Sequence, residues 1–215
     1  MAGFNYDMAA EFARRRLETR LPPYLYYHSA NHTCLDVVPA AKRLAKLEGL
    51  DGDDMLLLLT AAWFHDLGFI HINGDTTAEY KSRVSRHEEA SAAIARQVLP
   101  DYDYTPGEIE VVVGAIMATK LPQTPHNLID QITADADLDS LGREDFWKIS
   151  YRLHEELARF GMPSDEPTWF ERQLKFLESH HYFTPSANLL RQPGKEANIA
   201  ELRLRLEEIR TTVEV

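Results

Sequence analysis

Apolar residues recur at helical spacing along the whole chain, while alternating Val, Ile and Thr runs closed by hairpin turns are nearly absent. The pattern predicts an all-α fold. A first helix is expected over roughly residues 4 to 20, stopping at Leu21-Pro22-Pro23 because proline pushes the residue before it out of helical backbone. A second begins near Ser29 or Asn31 and runs toward Gly49, with His32, Leu35 and Val38 on one stripe and a kink at Pro39. The third is the run Met55 to Phe64, closed by His65-Asp66-Leu67-Gly68 with Gly68 as its stop. It is apolar on every side and should be buried.

A polar loop from His71 to Thr77 leads into a fourth helix lasting to Leu99-Pro100, with Val84, His87, Ser91, Ile94 and Val98 on one face. A fifth opens at Thr105-Pro106-Gly107-Glu108, where Thr caps, Pro takes the first position and Glu completes a capping box, and continues to about Lys120. A sixth follows Pro125 and carries Leu128, Ile132, Asp135 and Leu138 on one stripe. Further helices are expected at about 143 to 161, 166 to 181 and 196 to 213. The last has a narrow stripe, Leu202, Leu206, Ile209 and Val213, flanked by Glu201/Arg205 and Arg203/Glu207 pairs. That stripe either closes the bundle or seals a homodimer.

The 215 residues contain no Ser/Gly/Pro-rich linker and no repeat, which predicts a single domain over residues 1 to 215. A net charge of -11 argues against polymeric nucleic acid and anionic membranes as partners. With no signal-like start and no apolar run long enough for a bilayer, a cytoplasmic location is expected. Cys34 is the only cysteine, so a Cys-rich zinc site is excluded and His and carboxylates are the available metal ligands. Trp63, Phe64, Trp147, Trp169 and Phe170 read as core before they read as a base-stacking platform.

The chemistry concentrates at His65-Asp66. Burial and the helix dipole both disfavour a carboxylate at the end of an apolar helix, so a cation should be nearby. His32, then His65 and Asp66, then Asp135 lie on three separate helices, on or beside apolar stripes. Four such ligands suit one octahedral or tetrahedral divalent ion, which would make a water more acidic and polarise a phosphoryl oxygen.

The order His32, His65-Asp66, Asp135 resembles the H…HD…D signature of the HD superfamily of metal-dependent phosphohydrolases. Around it, Leu21-Pro22-Pro23-Tyr24, Asn31-His32-Thr33, His65-Asp66-Leu67-Gly68, His87-Glu88-Glu89-Ala90-Ser91 and Asp135-Ala136-Asp137-Leu138-Asp139 are similar to a subgroup of predicted bacterial HD phosphohydrolases, over about residues 20 to 145. The resemblance implies an all-α HD domain with additional C-terminal helices over about 143 to 213. It implies His32, His65, Asp66 and Asp135 as metal ligands, with Asp137 as the rival for the last place; Asp135 is preferred for its apolar stripe. His87 and His126 are the candidates for a second metal or a phosphate contact. Where several binuclear relatives carry a histidine, this chain has Ala118-Thr119-Lys120, which favours one ion (Mn, Mg, Co, Ni, Zn or Fe) with Thr119 and Lys120 facing substrate.

His28, one turn before His32, is a candidate donor or gate, and Arg83, i-4 from His87, heads a basic group with Lys81 and Arg86 that could neutralise a phosphate. The function implied is hydrolysis of a small phosphorylated metabolite, a nucleotide above all, with Asp66 accepting the proton of the attacking water. Two alternatives stand beside it. One is the di-iron oxygenase chemistry also found in the superfamily, and the other is a non-catalytic ligand-binding or dimerisation module with a structural metal.

Overall fold

The first helix, α1 (Tyr6–Arg20), begins where the Asn5 side chain accepts the Met8 N–H and ends at extended Leu21, as the two following prolines require. The computed structural model describes residues 3–71, 80, 84–162 and 165–213. After α1 come α2 (Val38–Leu47), α3 (Gly52–Phe64), α4 (His87–Val98), α5 (Pro106–Ala118), α6 (Leu128–Asp137), α7 (Phe146–Arg159), α8 (Glu166–Ser179) and α9 (Pro185–Val213). The described residues form helices and no strand, as the periodicity predicted. No helix among them is long and apolar enough to cross a membrane.

Helix α3 lies at the centre, packed against α1, α2, α5 and α6. Its all-round apolar surface is accounted for by that position, since Leu57, Leu58, Leu59, Ala61, Ala62 and Phe64 are all buried. The capping box at α5 forms as expected: Thr105 accepts from the Glu108 N–H while the Glu108 carboxylate accepts from the Thr105 N–H.

Three departures from the expected helices have local causes. Residues His32–Val37 form a π-helical turn ahead of α2, closed by the i→i+5 bond from Val38 N–H to Thr33 O. The wider turn breaks the expected stripe: His32 is buried while Leu35 is 67% exposed. Next, Ser85 and Arg86 form a turn, so α4 starts at His87 and Val84 precedes it. Last, the final helix starts at Pro185, passing through Pro193-Gly194.

A tertiary contact explains that last departure. Gly194 crosses the short 3₁₀ turn Asp139–Gly142 so closely that a Cβ on it would lie 2.2 Å from the Gly142 carbonyl oxygen. A Cβ on Gly142 would lie 2.1 Å from the Arg191 carbonyl oxygen. Pro193 forfeits one helical hydrogen bond to the Leu189 carbonyl, but Leu189 is exposed and water can replace it. Farther along, Leu202 and Leu206 bury against Trp169, Phe170 and Leu177, so the terminal stripe packs onto α8 of its own chain. Glu201 pairs with Arg205 as expected, whereas Arg203 pairs with Glu178.

The glycine crossing is testable. Gly142→Ala and Gly194→Ala should each lower unfolding free energy by about 1–3 kcal/mol in urea titrations, the usual cost of forcing atoms into a filled space. Gly107→Ala, inside α5 where an added Cβ meets nothing within 4 Å, should instead raise it by about 0.4–1 kcal/mol.

Candidate metal centre

Four side chains from three places converge at the C-terminal end of α3. His65 and Asp66 leave the last turn of α3, His32 opens the π-helical turn, and Asp137 is the last residue of α6. His32 Nε2 lies 3.2 Å from Asp137 Oδ1 and 3.7 Å from Asp66 Oδ2. His65 Nε2 lies 3.3 Å from Asp66 Oδ2 and 3.4 Å from Asp137 Oδ1. His32, His65 and Asp66 each offer one ligand atom within 4.8 Å of the others, which fits a shared ion.

The surroundings fix this arrangement. His65 Nδ1–H donates to the Ala62 carbonyl at 2.8 Å, which leaves the Nε2 lone pair for the centre. Ser91 Oγ donates to the His65 carbonyl and accepts from the Gly68 N–H, tying α4 to the turn after α3. Gly68 is required there, because a Cβ would lie 2.1 Å from the His87 carbonyl oxygen.

The electrostatics call for a cation. His65 Nε2 and Asp66 Oδ2 are buried without a hydrogen-bond partner in proper geometry, a costly state for a carboxylate and an imidazole. Burial opposes charge on His65, but Asp66 and Asp137 outweigh it and raise its pKa well above the usual value. Burial likewise opposes charge on Asp66 and Asp137, yet the histidines hold both below the usual carboxylate range. A divalent ion would take the place of the proton that holds the cluster together.

Residues 31–142, just over half of the chain, match the family model described as HD domain. The chain belongs to the HD domain family. No curated protein and no solved structure matches it.

Of the HD-type residues expected from sequence, the structure brings together His32, His65 and Asp66 and turns Asp135 away. Asp135 lies two residues before Asp137, about 200° around the helix, so the two carboxylates point to opposite sides. The Asp135 carboxylate accepts from the Phe183 N–H (2.8 Å), the Thr184 N–H (2.8 Å) and the Thr184 hydroxyl (2.7 Å). Thr184 Oγ1 in turn accepts the Ala187 N–H, so Asp135 steadies the start of α9. Its apolar stripe marked burial, and burial here serves folding.

The secondary candidates divide. His87 Nε2 lies 3.5 Å from Asp66 Oδ1, on the opposite carboxylate oxygen from His32 and His65. His126 is exposed and precedes the start of α6, while Asp137 ends that helix, so it does not reach the centre. Thr119 and Lys120 line the same cavity as Asp66, but the Lys120 ammonium is held by Glu89. Arg83 and Lys81 lie outside the described residues.

Sequence reasoning missed Glu156 on α7, which lies beyond the HD match. It is fully buried, and its carboxylate accepts from the Tyr27 N–H, the His28 N–H, His28 Nδ1 and the Tyr80 hydroxyl. His28 is thereby oriented at the cavity wall and stacks on Phe69 at 4.2 Å. Burial opposes the charge of each, but their mutual attraction raises the His28 pKa and lowers that of Glu156. The sequence signal was faint: Glu156 is an acid within the otherwise amphipathic stretch after Phe146.

Two outcomes follow for variants. Asp137→Ala should weaken divalent-ion binding by more than about 100-fold, exceeding the usual effect of residues that only support a ligand. Asp135→Asn should lower the melting temperature while the folded protein keeps its ion; metal titration and thermal unfolding separate the two. For the Glu156–His28 pair, the lowered Glu156 pKa contributes stability above about pH 4.3 and loses it as pH falls through the folded value. The raised His28 pKa contributes fully below about pH 6.5 and is lost as pH rises through its folded value. In metal-free protein Glu156→Gln should therefore cost most, about 3 kcal/mol, between about pH 4.3 and 6.5. An equal cost at every pH from 3 to 9 would mean that charge is not what the pair contributes.

Proposed function

We propose that this protein is a divalent-metal-dependent phosphohydrolase acting on a small phosphate ester. The observation that carries the reading is the buried His32, His65, Asp66 and Asp137 cluster with Asp66 and Asp137 in the wall of a cavity of about 490 Å³, in a chain of the HD family. A divalent ion held by these four residues would supply Lewis acidity and a more acidic water. The cavity end itself is acidic, with Asp66, Asp137 and Glu88 in its lining, and would repel a phosphate without such a cation.

The residues then divide the work. Asp66 is the carboxylate placed to accept a proton from the attacking water, whose oxygen forms the new P–O bond. His28, held through Nδ1 by Glu156, has Nε2 as the ring nitrogen that can donate to a phosphate oxygen or to the departing alkoxide as the ester P–O bond breaks. His87 stands at the other oxygen of Asp66 and can orient that carboxylate or a phosphate oxygen. A nucleotide is the finer expectation from sequence. It would need polar partners for base and sugar, and of the lining residues on α7 and α8 only Ser150 and Gln173 are polar.

The test is phosphate release from a panel of phosphomonoesters and nucleotides with Mn, Co, Ni, Zn, Fe or Mg added to chelator-treated protein. Activity should appear only with metal, and Asp66→Ala should reduce it by at least about 100-fold, the low end of a general base's contribution. Undiminished turnover in that variant would overturn the mechanism.

A further inference from the structure

The cavity lining is of two unlike kinds, the charged centre on one hand and an apolar set, Leu141, Phe146, Ile149, Leu153, Leu157 and Phe176, on the other. The two polar residues that α7 and α8 add to the lining bond to each other, the Ser150 hydroxyl donating to Gln173 Oε1 and accepting from Trp169 Nε1, each at 3.2 Å. Lys120 at the wall is neutralised by Glu89. Among the described lining residues charge therefore belongs to the centre and to the Lys120–Glu89 pair, while the face that α7 and α8 present rewards an occupant that needs few hydrogen bonds.

We propose that this chamber takes the hydrocarbon group of a phosphate monoester, a straight alkyl or isoprenoid chain, with the phosphate seated at the HD centre. The head-group placement rests on the hydrolase reading above; the tail placement rests on the walls. At about 490 Å³ the cavity falls within the usual range for small-molecule sites, and the apolar residues line the same cavity as Asp66 and Asp137. Most of these walls come from helices beyond residue 142, so the selectivity belongs to the part of the chain that the HD match does not cover. Water and ester would give the apolar alcohol and inorganic phosphate, the water oxygen joining phosphorus and one proton passing to the alkoxide oxygen.

Calorimetric binding of non-hydrolysable n-alkyl phosphonates, methyl to decyl, to the Mn-loaded and the metal-free protein tests the chamber without catalysis. Affinity should rise about fourfold per methylene until the chamber is full, with an increasingly negative heat-capacity change. Geranyl phosphonate against the octyl compound separates an isoprenoid from a straight-chain ligand, and adenosine monophosphate should bind more weakly than either. Leu153→Trp, checked for folding by circular dichroism, should move the plateau to shorter chains, although the unmodified protein alone decides the matter. Affinity independent of chain length, or tightest binding by the nucleotide, would overturn the proposal. The hydrolase reading fails separately: chain-length-dependent binding with no phosphate released from the matching esters under any metal would remove it and leave the chamber standing.

Discussion

The constraint on which this structure depends is that several ionisable side chains are buried together where a helical bundle would otherwise be apolar. His32, His65 and Asp66 are each at most 5% exposed. Uncompensated, such a set would cost several kcal/mol per charge, more than a domain's whole stability can absorb. Compensation here is local and reciprocal: imidazoles beside carboxylates, a backbone carbonyl on the outer ring nitrogen of His65, and a position between them suited to a cation. The helices are placed accordingly. The π-helical turn, the end of α3 and the end of α6 all deliver a side chain to one spot, and a regular helix at residues 32–37 would have turned its side chains to a different register.

Three aspartates at alternate positions show how one short sequence serves three purposes. Asp137 joins the His32, His65 and Asp66 cluster, Asp135 holds the Thr184 cap of α9, and Asp139 accepts from both Arg43 and Arg191. Each is buried or half-buried, so an apolar stripe alone could not tell a ligand from a structural acid. Helical geometry could place Asp135 and Asp137 on opposite faces, but it could not say which face the histidines would meet. That depended on where α9 begins, and its start at Pro185 was hidden by Pro193-Gly194, a pair that reads as a stop in isolation.

The legible parts of the chain were those governed by local rules. The Thr105 capping box, the stop of α1 before Pro22 and the burial of α3 all follow from residues within one or two turns. The His32 and His65-Asp66 grouping was legible because residue type, order and apolar context agree. The parts that were not legible are set by contacts distant in sequence. Glu156 reaches His28 across 128 residues, and the Gly142–Gly194 approach exists only once α9 lies across the 3₁₀ turn. A lysine's neighbour is equally invisible: Lys120 lines the cavity as a phosphate contact would, but it pairs there with Glu89 of α4.

These distant contacts also explain how the proposed chemistry and the proposed selectivity would be separated in one cavity. The centre is built by residues within the HD match, whereas most of the apolar wall and Glu156 come from helices after it. Glu156 joins the two parts, because it sits on the same helix as Phe146, Ile149 and Leu153 while its carboxylate grips His28 and the backbone leading to His32. A shift of α7 would therefore alter the shape of the chamber and the orientation of His28 together. Substitutions in the wall can vary the size of the accepted group only within the limits that keep Glu156 in place. The buried carboxylate on α7 does for the C-terminal helices what the His32, His65 and Asp66 cluster does for the HD segment: it converts a costly buried charge into a fixed geometry.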